Sequence, residues 1–113
     1  MSHIGLTNEH WNKFSLMEQL SNVGCDVSRA IRWRNKGNQP YSEDAFWRAF
    51  ELLGLTIMDP KNKNQLKELA RTREVLVDYF LYDNVYKSTD ELWEKYFYYF
   101  GFVAAEERMQ RQA

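Results

Sequence analysis

Arg29, Arg32, Arg34 and Lys36 fall within eight residues and enclose Trp33, and cations interleaved with an indole can hold a phosphate and stack a base. The anion-binding candidates are therefore Arg32, Trp33, Arg34 and Lys36. The same residues occupy the last turns of a predicted helix, where the dipole favours cations without any ligand. A second basic group, Lys61, Lys63, Lys67, Arg71 and Arg73, opens a later helix, at the end where the dipole disfavours positive charge. In an up-down bundle the two groups fall mostly at opposite poles. With a formal charge of -1, the chain has no global attraction to polyanions, so nucleic acid is not the expected partner.

Arg73 lies between Leu69 and Leu76 on an apolar stripe. An interior guanidinium needs carboxylates, since one left unpaired costs several kcal/mol. Glu51, Glu74 and Asp78 are available, and Arg73 with Glu51 and Asp78 forms a candidate buried polar cluster. The competing expectation is an edge arginine whose stem lies on the core and whose head reaches water.

Other reactive side chains are few. His3 and His10 have no companion at metal-ligand spacing, so no metal is expected. Cys25 has nothing nearby to make it a thiolate, and the neighbouring Asp26 would disfavour one. A single cysteine excludes an intrachain disulfide. Phosphate-binding glycine loops, nucleophile elbows and paired carboxylates are lacking, so no catalytic residue or cofactor is expected.

Aromatic residues provide the strongest signal. The run Tyr96-Phe97-Tyr98-Tyr99-Phe100-Gly101-Phe102 holds six rings that no one-sided helix can hide. Trp93, Tyr96, Phe97 and Phe100 have core spacing. Tyr98, Tyr99 and Phe102 fall off that face, as does Trp47 on an earlier helix. Exposed Trp and Tyr bring contact area and a polar handle at low entropy cost, which makes these four the protein-binding candidates.

Helical periodicity positions all of these residues. Met17, Leu20, Gly24, Val27 and Ile31 recur at spacings of three and four, with Leu16, Val23 and Ala30 beside them and Glu18, Asp26 and Arg29 elsewhere. Thr7 or Asn8 can cap a helix reaching back over Trp11 and Phe14, while Ser15 and Glu18 make a competing capping box. The earlier start predicts a first helix of about 28 residues, roughly 42 Å long, ending near Gly37 before Pro40 holds Gln39 extended.

A second helix starts at Ser42, carries Phe46, Ala49, Phe50, Leu53 and Ile57, and closes at Asp59-Pro60, with Gly54 as a weak point. Leu66, Leu69, Leu76 and Phe80 mark a third. A polar turn from Asp83 to Lys87 precedes a Ser88 and Glu91 capping box, and Trp93, Phe97, Phe100 and Ala104 mark a fourth.

The expected fold is all-α: a single domain over 1–113, built as a four-helix up-down-up-down bundle with its first helix the longest. Residues 1–7 are expected to be flexible and 108–113 to fray. With 44% apolar and 27% charged residues, the chain has a globular composition, and its apolar runs are too short to span a bilayer. A cytoplasmic protein with no membrane partner is the default.

Two motif families touch this sequence. Trp33-Arg-Asn-Lys-Gly37-Asn with Ala45-Phe46 and Asp59-Pro60 resembles one tetratricopeptide repeat, but a stack needs about three copies and no second is present. The overall plan resembles the helical-bundle nucleases called HEPN domains, whose activity requires an arginine followed four to six residues later by histidine. No arginine precedes His3 or His10, so that activity does not carry over. The chain as a whole resembles an uncharacterised family of small all-helical bacterial and archaeal proteins, a resemblance that implies no activity. The leading functional expectation is a non-catalytic interaction module that self-associates as a homodimer or other small homo-oligomer through exposed aromatics. The alternative is a nucleic-acid-linked or enzymatic bundle using the basic groups at 29–36 or 61–73.

Overall fold

The computed structural model describes residues 7–112, and every regular element among them is helical. In order these are α1 (Asn8–Trp11), α2 (Leu16–Asn35), α3 (Gln39–Met58), a 3-10 turn (Pro60–Gln65), α4 (Leu66–Leu81) and α5 (Asp90–Gln112). The expected flexible amino-terminal segment lies outside the described residues except for Thr7, which caps α1 by accepting the His10 N–H at 3.2 Å. His3 also lies outside them.

The expected long first helix is corrected. Ser15 is extended, its hydroxyl accepts the Glu18 N–H at 3.1 Å, and the Glu18 carboxylate accepts the Ser15 N–H at 3.0 Å. This reciprocal box satisfies donors that a continuous helix would bond otherwise, so the chain breaks and restarts there. Both candidate starts are used, and the longest helix is α5, with 23 residues.

Two further boundaries move. Gly37 takes the left-handed φ of +79 expected of it, but α3 begins three residues before Ser42 because Asn38 accepts the Tyr41 N–H at 3.1 Å. Pro40 fits in that first turn, where its missing N–H would have had no partner anyway. Ser42 is consequently buried, and its hydroxyl donates to the Ala30 carbonyl at 2.8 Å. At α5, Thr89 rather than Ser88 accepts the Leu92 N–H, at 3.1 Å.

α2 is the central element, packing on α3 along one side and on α5 along another, while α4 packs on α3. Val23, Val27 and Ala30 of α2 are fully buried with Phe46, Ala49 and Leu53 of α3 and Leu76 of α4. Close approach of α2 and α5 depends on Gly24, where a Cβ would lie 2.6 Å from that of Phe97.

Polar contacts fasten both ends of α2. At its start, fully buried Gln19 donates to the Trp11 carbonyl at 3.1 Å and to Asp59 at 2.9 Å, and accepts from Asn62 at 2.9 Å. The Trp11 indole donates to Thr56 at 3.0 Å, and Lys61 pairs with Asp59. Burial pushes the Asp59 carboxyl up, but hydrogen bonds from Lys61 and Gln19 outweigh it and leave the group below its ordinary value. The far end of α5 is tied to the same pole by Ser15 donating to Glu107 at 2.6 Å and Arg111 pairing with Glu18 at 3.0 Å. Among the described residues no helix is long and apolar enough to cross a membrane.

Candidate interaction surface

α5 explains most of the aromatic run by its own geometry. Trp93, Phe97 and Ala104 are buried, and Tyr96 and Phe100 pack half-buried against the core. Tyr98, Phe102 and Met109 follow one another at spacings of four and seven, which places them with Ala105 on a single stripe directed away from the core. They are 76%, 57% and 70% exposed. Tyr99 stands beside the stripe, also mostly exposed.

Along one flank of that stripe runs a groove of about 590 Å³ between α2 and α5. Ser21, Gly24, Cys25 and Ser28 form its α2 side at helical spacing, and Gly101 lies opposite. Because these side chains are small, Tyr98 and Phe102 border a shallow trough rather than a filled interface. Arg29 and Arg32 line the same groove, so the structure brings Arg32 together with Tyr98 and Phe102. The stripe of small residues was readable in the sequence at 21, 24, 25 and 28, but its accessibility depends on where α5 docks.

The other anion-binding candidates are separated and engaged elsewhere. Trp33 meets Tyr41 edge-on at 4.9 Å, with the Lys36 ammonium 5.2 Å from its ring. The Arg34 guanidinium lies 4.5 Å from the Tyr79 ring and 4.7 Å from that of Phe80 and donates to Asp90 at 3.0 Å. Tyr79 and Asn35 also donate to Asp90. Burial raises Asp90, but those bonds and Arg34 bring its pKa below the ordinary value. Tyr79 is pushed up by burial and by Asp90. Arg34 thus joins the end of α2 to α4 and α5.

Arg29 pairs with Asp26 at 2.7 Å, and Arg48 of α3 approaches the same carboxylate at 3.6 Å. Asp26 was expected off the buried face, yet it is only 5% exposed. Burial raises its pKa more than the two arginines lower it.

In the second basic group, Lys61 is held by Asp59 and by the Asn12 carbonyl at 3.0 Å. Arg71 lies 5.4 Å from the Tyr86 ring. Arg73 is half-buried on α4 with its guanidinium 5.7 Å from the Phe50 ring. Asp78 is buried and accepts the N–H groups of Val85 at 3.0 Å and Tyr86 at 3.2 Å, which secures the turn into α5. Glu51 is half-buried on α3. Arg73 and Asp78 line one cleft of about 440 Å³, bordered by Phe50, Tyr82, Val85 and Tyr86. Sequence reasoning missed the exposed Tyr82, Val85 and Tyr86; their only signal was apolar residues inside a polar turn. Trp47, 37% exposed, stacks edge-on with Phe46 and Phe50 on α3.

Comparison of the chain with family models, with curated proteins and with solved structures returned no match.

Proposed function

We propose that this chain is a non-catalytic interaction module whose long helices α2 to α5 stand in up-down-up-down order, and that it self-associates through the outer face of α5. The observation that carries this reading is the exposed stripe of Tyr98, Phe102 and Met109 on a helix whose opposite side already fills the core. Folding does not require those side chains. Burying two or three of them removes apolar area worth about 1.5 to 3 kcal/mol each before the cost of association. Arg29, Arg34, Lys36, Lys61, Arg71 and Arg73, six of the nine cations in the two basic groups, serve contacts within the chain, which leaves little of either group arranged for a phosphate backbone.

Sedimentation velocity of the full chain from about 1 µM to about 1 mM tests the reading, a range that covers weak and moderate dimers. The sedimentation coefficient should rise with concentration, and Tyr98→Ala combined with Phe102→Ala should hold it at the monomer value. A chain that stays monomeric throughout would sink the proposal.

A further inference from the structure

We propose that the occupant of the α5 face is a second copy of this chain, docked with its own α5 antiparallel about a twofold axis passing near residue 100. This rests on the self-association proposed above and specifies its geometry. Tyr98, Phe102, Ala105 and Met109 alternate spacings of four and three, the repeat with which two helices can pack along a common seam. Lys95 extends the stripe by one position toward the amino end.

Charge selects the direction. Glu94 and Arg108 flank the seam on the side of the α2 groove, and Lys95 and Glu106 lie nearer its centre and opposite edge. All four are exposed. Glu94 makes only a long hydrogen bond of 3.3 Å to Ser28, and Arg108 has no ion pair among the described residues. In a parallel, in-register pair Lys95, on the seam, would face its own copy, and Glu94 would lie beside Tyr99, five positions on, with no opposite charge to meet. In the antiparallel pair Glu94 meets Arg108 of the second copy, twice by symmetry, and Lys95 approaches Glu106. Like charges held across a seam are destabilising and opposite ones steer orientation, so the pattern favours antiparallel docking.

Shape agrees with charge. In this register Tyr98 packs on Phe102 of the second copy at both ends of a short aromatic centre. A seam of this length is at the low end of specific interfaces, below roughly 1,200 Å² in total, so the association is weak and concentration-dependent.

Charge exchange in the full chain tests the register by sedimentation equilibrium. Glu94→Arg alone and Arg108→Glu alone should each raise the dimer Kd about tenfold at low salt, and combining them should return it to within about threefold of the parent. Circular dichroism checks that these exposed substitutions leave the helices intact. If the single changes have no effect, or the combined variant stays weakened, the antiparallel register is wrong. The aromatic-face reading survives that outcome if Tyr98→Ala with Phe102→Ala still dissociates the dimer. A parent chain that remains monomeric overturns both.

Discussion

Gln19 gathers three side-chain hydrogen bonds in the interior. Its side chain is fully buried, and its amide supplies partners to the Trp11 carbonyl, Asp59 and Asn62. Gln19→Ala would leave three buried polar groups short of a partner and open a cavity, so we expect a loss of about 2 to 4 kcal/mol in urea unfolding. A loss under about 1 kcal/mol would mean that water or rearrangement replaces these bonds. Gln19 stands one residue from Leu20, and on sequence alone nothing distinguishes it from an ordinary polar residue at the edge of a stripe. Its partners come from α1 and from the turn beyond α3, about 40 positions away. Arg73 shows the same limit. Its place on an apolar stripe was legible, but whether it lies over Phe50 depends on how α4 rests on α3.

Helix ends decide the behaviour of the elements. The Ser15 and Glu18 box was recognisable from residue type and spacing, as was the competing Thr7 cap. What spacing could not weigh was the distant support for the box: Glu107 accepts from the Ser15 hydroxyl and Arg111 pairs with Glu18. Those contacts favour the break over a continuous helix. In α3, Gly54 sits in the helix interior with open space where a Cβ would point. Gly54→Ala should therefore raise stability by about 0.5 to 1 kcal/mol, measured as a shift of the urea midpoint at constant m-value. Destabilisation would instead indicate that the position needs glycine's conformational freedom.

At the scale of the whole molecule, buried and paired carboxylates couple folding to pH. Hydrogen bonding by the Ser15 N–H, with Arg111, lowers Glu18, and Asp59 and Asp90 also lie below their ordinary values. Groups depressed in the folded state contribute stability above their unfolded pKa and lose it as pH falls through the folded one. Asp26 has the opposite sign: its raised pKa means that the folded chain holds the proton more tightly, so its contribution improves on acidification. Three depressed groups against one raised group predict lower stability at about pH 3 than at about pH 6 by urea titration. Asp59→Asn should flatten that acid limb and Asp26→Asn should steepen it. The reverse pair of slopes would show that these carboxylates are not coupled to folding in the directions given.

That this protein is helical, roughly where its apolar stripes run, and which rings of α5 a core could not absorb were all legible in the order of residues. Those properties depend on residue type and on spacings of three and four along one helix. Only distant packing showed that both caps are used, with a break at Ser15 that leaves α5 the longest helix. It also placed Asp26 and Gln19 inside, and separated Arg32, which lines the groove beside Tyr98 and Phe102, from Arg34, which is packed on Tyr79 and bonded to Asp90. Each outcome depends on side chains tens of residues apart meeting in a dense interior, where one small residue, Gly24, sets how near two helices can come.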